Sequence, residues 1–352
     1  MRPQIFLHIG THKTGTTFLQ YLFRKHRMEL LEADRLLFPD AGLSTKKRIS
    51  PKPDGLPGHN GFTRESGRKS VISKLASEVA ICDPTRVFIS AEDLGSANPE
   101  FVRTLVGDLE KIGPVSIVLV LRRQDKWIDS FYRQAVAGNR HGETQDFRSY
   151  LKDKGPRLLD YGARFKRWRQ APFSGQFLAT SFDDLVAGDN LLGWFCDILE
   201  VSKSAELLRV SQVPRYPSLT RIDTEITRLM NLVPTLGSVR RAELLQQVYD
   251  LGVVPDAPFV SSEMFQELRS LYEPKNRLLV EEWGIRPASE FMNWDRPKVS
   301  SEWDGHLETV AVKLAAAANG IYKPYGKTRR MRRVIDVFAS LQPIVGTSGS
   351  GN

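Results

Sequence analysis

The run VSIVLVL, residues 115–121, most constrains the fold of this chain. Its seven residues are apolar apart from Ser116, so the segment predicts a strand buried on both faces. Three shorter strand-like runs, at residues 4–9, 86–91 and 176–182, alternate with amphipathic helical patterns. Such alternation predicts a three-layer α/β fold, with a central, mainly parallel sheet and helices on both faces.

The strand pattern ends near Ser211, and the sequence that follows predicts mostly helices. We therefore predict an α/β domain over residues 1–290 and a helical, basic extension over residues 291–352 with a frayed end. Residues 42–67 are rich in Gly, Pro, Lys and Ser. That composition predicts a long loop, which we expect near the acceptor site.

The charge of the chain favours polyanionic partners. A net charge of +9 and a pI of about 9.5 suit nucleic acid, anionic lipid, acidic polysaccharide or a charged nucleotide. No recognisable nucleic-acid-binding module occurs, so we expect no nucleic acid partner. No apolar run reaches the roughly 18 residues of a membrane span. An apolar strand starts almost at the first residue, which argues against a signal peptide and predicts a cytoplasmic protein.

The stretch HIGTHKTGTTFLQ, residues 8–20, follows the spacing of a nucleotide phosphate loop, but its lysine is displaced. Gly10 and Gly15 match the glycines of G-x-x-x-x-G-K-[ST], and Thr17 matches its hydroxyl residue. Thr16 stands in the lysine position, whereas Lys13 lies inside the loop. This departure, together with the lack of a convincing magnesium-binding carboxylate after a later strand, disfavours hydrolysis of a nucleoside triphosphate.

A strand-to-helix loop of this kind can still hold an anion. Backbone N–H groups at the start of a helix face such a ligand, and the helix dipole favours it. We predict that the anion contacts lie in the six-residue segment His12, Lys13, Thr14, Gly15, Thr16 and Thr17. The alternative is a Gly-Thr turn that binds nothing.

A second cluster, VLVLRRQDKWIDSFYRQ, follows the central strand. Arg122 ends the strand and Ser130 comes eight positions later, about two turns into the next helix. An arginine at the carboxyl end of a parallel strand projects into the crevice where such sheets bind ligands. A guanidinium with a nearby hydroxyl suits a phosphate. The alternative is that Arg122 only caps the sheet and Ser130 faces solvent.

Together these segments resemble the sulfotransferase family, especially its bacterial and carbohydrate-type members. HIGTHKTGTTFLQ is similar to the family's 5′-phosphosulfate loop, and LRRQDKWIDSFYRQ to its 3′-phosphate motif. FISAEDL, residues 88–94, and LRSLYEPKNRLLVEEWG, residues 268–284, are similar to two further family segments. The family often has Arg-x-Pro where this chain has Arg122-Arg123-Gln124, which leaves open which arginine takes the phosphate.

The resemblance implies a donor, 3′-phosphoadenosine 5′-phosphosulfate (PAPS), with the bisphosphate PAP as product and no metal required. It implies that Lys13 and the loop N–H groups stabilise charge on the leaving 5′-phosphate. Thr16 and Thr17 would orient the phosphosulfate, and Arg122 with Ser130 would hold the 3′-phosphate. The acceptor would be a hydroxyl or amine, with a carbohydrate or glycolipid as the expected class.

Two residues could take the acceptor proton. Glu92 follows a predicted strand and matches the glutamate of N-sulfating members, whereas His59 resembles the histidine base of some O-sulfating members. Histidine titrates in the useful pH range, but glutamate would need a raised pKa. The choice between them, and between O- and N-sulfation, is open at this point. The ordinary alternatives are a helix-start carboxylate and an exposed loop histidine.

Other interpretations lead to different tests. A kinase with a degenerate phosphate loop would bind ATP with magnesium, and a non-enzymatic protein could simply bind polyanions. A sulfotransferase fold without activity is a third possibility, against which the presence of Lys13, Arg122 and Ser130 counts. The basic stretch YKPYGKTRRMRR, residues 322–333, could be solvated, cover the adenine side, or contact an anionic membrane surface peripherally.

Overall fold

The computed structural model describes residues 2–43, 58–138, 142–211, 219–232 and 256–295. Five strands lie in these ranges: β1 (Gln4–His8), β2 (Leu36–Leu37), β3 (Arg86–Ser90), β4 (Val115–Leu121) and β5 (Phe177–Ser181). The helices are α1 (Thr16–Lys25), α2 (Arg27–Asp34), α3 (Arg68–Cys82), α4 (Pro99–Glu110), α5 (Gln124–Ala137), α6 (Phe147–Leu159), α7 (Tyr161–Arg169), α8 (Phe182–Ala187), α9 (Leu191–Ile198), α10 (Ala205–Val210), α11 (Arg221–Asn231), α12 (Ser262–Trp283) and α13 (Ser289–Met292). Short 3-10 helices span Asn60–Thr63 and Glu92–Ser96.

The five strands form one sheet in the order β2-β3-β1-β4-β5, and every strand pair is parallel. This confirms the three-layer α/β fold class predicted from VSIVLVL. The carboxyl ends of β3 and β4 flank the end of β1, because both strands pair directly with it. The strand order reverses at β1, and open α/β sheets bind ligands at the crevice where this happens.

Alternate residues of the strands enter two separate hydrophobic cores, one on each face of the sheet. Ile5, Leu7 and Ile117 belong to the core that includes apolar residues of α3, α4, α7 and α12. Phe6 and Val118 belong to the core that includes residues of α1, α2, α9 and α10. All seven residues of β4 are buried, as expected for a strand covered by helices on both faces.

One predicted helix is two helices in the structure. The sequence from Thr16 to Asp34 predicts a continuous helix, but the chain leaves helical geometry at His26, with φ −106° and ψ 24°. The ring Nε2 of His26 lies 2.7 Å from the Ser211 hydroxyl, so this buried side chain is held by a residue far along the chain. Helical periodicity carries no information about such a contact.

The chain clusters into two compact units, each made of several segments. The boundary predicted at residue 290 stays a prediction. The first comprises Met1–Trp127, Arg157–Arg215 and Gln266–Trp294 and contains the whole sheet. The second comprises Ile128–Pro156, Tyr216–Phe265 and Asp295–Asn352. Residues 296–352, and with them nearly all of the predicted extension and its basic stretch, lie outside the described residues.

The second unit has its own aromatic centre. The Tyr132 ring lies 5.0–5.2 Å from the rings of Phe147, Tyr150 and Phe259. The buried Arg133 guanidinium pairs with Asp129 and Asp256 beside this group. Over the described ranges of both units, no helix combines the length and the apolar character needed to cross a membrane.

Candidate functional site

The loop between β1 and α1 is fixed tightly against its neighbours. The Thr11 N–H donates to the Val120 carbonyl at 2.9 Å, and the Val120 N–H donates to the Gly10 carbonyl at 3.1 Å. Gly15 has φ +71°, and a Cβ there would lie 2.6 Å from Leu191 Cδ2, so only glycine fits without rearrangement. Lys13 also has left-handed backbone geometry, with φ +65°. The loop is therefore preformed.

This loop presents unused hydrogen-bond donors. The backbone N–H groups of residues 14–17 have no acceptor within the described ranges, and neither do the hydroxyls of Thr16 and Thr17. The Thr14 hydroxyl differs, because it donates to the Thr11 carbonyl at 2.7 Å. Thr14 can therefore offer its N–H to a ligand, while its hydroxyl proton holds the loop together. The donors at the start of α1 suit an anion.

The two adjacent arginines after β4 have different surroundings. Arg123 is buried and makes a two-bonded fork with Asp125, at 2.7 and 2.9 Å. Arg122 instead donates from Nη1 to the Lys13 carbonyl at 3.2 Å. Its Nε is buried without a hydrogen-bond partner within the described ranges and lies 3.9 Å from the Asp183 carboxylate. Arg122 is thus the arginine that adjoins the loop.

Asp183, in the first turn of α8 after β5, organises this side of the site. One of its carboxylate oxygens accepts the Arg123 N–H at 2.7 Å, and the other lies 3.2 Å from Lys126 Nζ. The strand QFLATSF followed by two aspartates was a signal that sequence reasoning could have used. Asp183 reaches the two arginines only because β5 pairs with β4, and this pairing cannot be inferred from the sequence.

Glu92 is held by a residue of the phosphate loop. His12 Nδ1 lies 2.5 Å from Glu92 Oε2, and His12 Nε2 lies 3.1 Å from Asp93 Oδ1. Burial lowers the pKa of His12, but hydrogen bonds and charge from Asp93 and Glu92 outweigh it and raise the pKa to about 9. His12 is therefore an imidazolium at neutral pH. The hydrogen bond from His12 is also the main reason that the pKa of Asp93 is lowered.

His59 does not have the surroundings of a base. Its side chain is completely buried; Nδ1 accepts the Ser90 N–H at 3.1 Å, so Nε2 carries the proton and donates to the Pro39 carbonyl at 2.9 Å. Burial lowers the pKa of His59 to about 4. Both nitrogens serve backbone groups, which favours a structural role for His59, whereas Glu92 is the carboxylate that adjoins the loop. The choice of base stays a prediction.

The remaining predicted residues are placed less directly. Ser130 is partly buried on α5 and belongs to the second unit, so its pairing with Arg122 stays a prediction from the sequence. Asn276, in the segment that resembles a family helix, exchanges two amide hydrogen bonds with Gln124, at 2.7 and 2.8 Å. These bonds anchor the start of α5 immediately after the two arginines.

Comparisons with known proteins give little functional guidance. No family model matches the chain, and no solved structure matches it. An uncharacterized protein of Archaeoglobus fulgidus is 25% identical over 175 residues, which are 48% of this chain and 46% of the archaeal protein. The chain thus matches less than half the length of that relative. Function has to be argued from the site itself.

Proposed function

We propose that this protein is a sulfotransferase that moves a sulfuryl group from PAPS to a hydroxyl or amine of a carbohydrate or glycolipid acceptor. One observation carries the proposal. The preformed loop at residues 10–17 has unused N–H donors at the start of α1, and Arg122 from the neighbouring strand reaches the same loop at the Lys13 carbonyl. Lys13, Arg122 and the N-terminus of α1 therefore lie together at the carboxyl edge of the sheet.

The residues present fit the donor better than a nucleoside triphosphate. PAPS would supply the sulfuryl group and leave as PAP. Thr16, in place of the usual lysine, removes the contact that holds β- and γ-phosphates, and PAPS has no γ-phosphate. The Nε of the partly buried Arg122 has no hydrogen-bond partner within the described ranges, which supports an additional anion contact, because a buried guanidinium N–H without an acceptor is costly.

Each residue of the site has a defined task in this proposal. Lys13 and the N–H groups of residues 14–17 stabilise the charge that builds up on the leaving phosphate oxygen as the sulfur–oxygen bond breaks. The acceptor oxygen or nitrogen forms the new bond to sulfur, and its proton passes to Glu92. Arg122 positions the donor and takes no part in the bond changes.

His12 explains how Glu92 can be oriented for this role. The imidazolium binds one carboxylate oxygen of Glu92, Oε2, and so fixes the orientation of the group. The other oxygen, Oε1, has no hydrogen-bond partner within the described ranges, so it can accept a proton from an acceptor. His12 is itself fully protonated near neutral pH and has no lone pair for this purpose. We therefore place the base at Glu92.

The loop assignment can be tested by thermal unfolding in the presence of EDTA. PAP should raise the Tm of the wild type, since it binds the folded state selectively, and Lys13→Ala should lose most of this rise. Lys25→Ala is the matched control, because it removes the same charge from the exposed end of α1. An equal PAP-induced rise in Lys13→Ala and Lys25→Ala would overturn the role of Lys13.

A further inference from the structure

The α7 residue Arg164 is a buried cation in an apolar setting. Its side chain is 7% exposed, and its guanidinium lies 5.3 Å from the Trp127 ring and 5.1 Å from the Phe165 ring. One N–H, from Nη1, donates to the Leu158 carbonyl at 3.2 Å. Aromatic faces offset part of the cost of burying a guanidinium, but they do not neutralise its charge.

Arg164 differs from the other buried arginines of the described ranges. Arg123, Arg133 and Arg228 each pair with a carboxylate, at 2.7, 2.8 and 2.7 Å. Arg164 has no carboxylate partner within those ranges. Burial and the nearby charges of Arg167 and Arg157 lower its pKa to about 10, so the group is still charged at neutral pH. Buried charges are ordinarily paired, so the lack of a carboxylate partner for Arg164 in the described part of the chain is unusual.

Arg167, one turn later on α7, adds a second guanidinium, which is partly buried. Its Nη2 donates to the Arg164 carbonyl at 2.8 Å, and its Nε is buried without a partner within the described ranges. Burial lowers the pKa of Arg167. Two neighbouring cations, neither of which has a carboxylate partner among the described residues, make a place that would favour a bound anion.

The arginine pair lies beside the candidate site. The Trp127 indole N–H, under Arg164, donates to the His12 carbonyl of the phosphate loop at 2.8 Å. The Tyr161 hydroxyl, at the start of α7, donates to the Arg122 carbonyl at 2.7 Å. Arg167 Nη2 lies 3.5 Å from the carbonyl of Gly95, which belongs to the 3-10 helix that starts at Glu92.

We propose that Arg164 and Arg167 form a second anion site, separate from the phosphate loop, which binds a carboxylate or sulfate group of the acceptor. The fork of a guanidinium matches the geometry of both groups. The acceptor class then narrows to acidic glycans, such as those with uronate or existing sulfate groups. That last step rests on the proposed sulfotransferase function, whereas the anion site itself does not.

Inorganic sulfate is the probe for the anion site, with sodium chloride at equal ionic strength as reference. We compare the Tm of wild type, Arg164→Gln, Arg167→Gln and Lys166→Gln, with and without PAP. Lys166→Gln is the control, because Lys166 is an exposed cation on the same helix. Sulfate also stabilises proteins non-specifically, and this effect acts on every variant. Binding is therefore judged from the difference in the sulfate-induced Tm change between variants.

The proposal predicts that sulfate raises the Tm of wild type and of Lys166→Gln more than sodium chloride does. This rise should persist when PAP is present. It should be at least halved in Arg164→Gln and in Arg167→Gln. Each arginine variant gives an independent result if the other does not fold. A rise that PAP abolishes, or one that both arginine variants retain, would overturn the second site. A persistent, arginine-dependent rise in a protein that does not bind PAP would uphold the anion site and reject the PAPS proposal.

Discussion

The contact between His12 and Glu92 links the phosphate loop to the residue that we propose as the base. The two residues are 80 positions apart in the sequence, so no local motif could have paired them. Motif spacing did identify both residues as candidates for the site. Their mutual orientation required the parallel pairing of β1 with β3, which brings the ends of the two strands together.

The raised pKa of His12 makes the stability of the protein depend on pH. The folded-state pKa of about 9 exceeds the ordinary 6.5, so the contribution is complete below about pH 6.5 and is lost as the pH rises through 9. We expect wild type to lose on the order of 2 kcal/mol relative to His12→Gln between these pH values. Urea unfolding at several pH values in this range measures the free energy of unfolding of both proteins. The same pH dependence in both proteins would contradict the pairing of His12 with the two carboxylates. The lowered pKa of Asp93 arises from the same contact, so it adds no separate contribution to this figure.

His59 makes stability depend on pH in the opposite direction. A variant of His59 can also distinguish a structural role from a catalytic one. Its folded-state pKa of about 4 lies below 6.5, so its contribution is present above pH 6.5 and disappears as the pH falls toward 4. His59→Ala should cost about 2–4 kcal/mol, because the Ser90 N–H and the Pro39 carbonyl lose buried partners. PAP binding by the folded fraction should be unchanged; a selective loss of catalytic turnover with normal stability would restore His59 as the base.

At the scale of elements, the junction between β4 and α5 determines the position of Arg122. Gln124 and Asn276 exchange two buried amide hydrogen bonds across this junction. Asn276→Ala should destabilise the protein by about 2 kcal/mol, since the amide oxygen of Gln124 would remain buried and unpaired. The double variant Gln124→Met, Asn276→Leu should lower the free energy of unfolding by less than the sum of the two single variants. A double-mutant cycle measures this coupling, and strict additivity would argue against it.

The sequence predicted elements best where local pattern and burial agree. The bounds of β4 match the prediction, since a strand buried on both faces is apolar along its whole length. The break at His26, the two-residue strand β2 and helices α6 and α7 were not predicted. At the break, His26 contacts the distant Ser211, and α7 combines a buried aromatic face with many charged residues, which obscures its pattern.

At the scale of the molecule, the parallel sheet was predictable and the division into units was not. Helices α5 and α12 each extend across a boundary between the units, so neither composition nor a linker marks the division. The same limit applies to the site. The loop, Arg122 and Glu92 could be found from spacing, but the contact of His12 with Glu92 and the burial of His59 depend on packing between distant segments.

The central claim is that the site binds a nucleotide with separate 3′- and 5′-phosphate groups, and calorimetric titration with PAP tests it most directly. Wild type should bind PAP without magnesium and bind ATP–magnesium much more weakly. Arg122→Ala should lose at least tenfold in PAP affinity, or about 1.4 kcal/mol, whereas Arg103→Ala, which removes an exposed arginine on α4, should not. Absence of PAP binding by folded wild type, or preferential binding of ATP–magnesium, would contradict the account and favour a kinase.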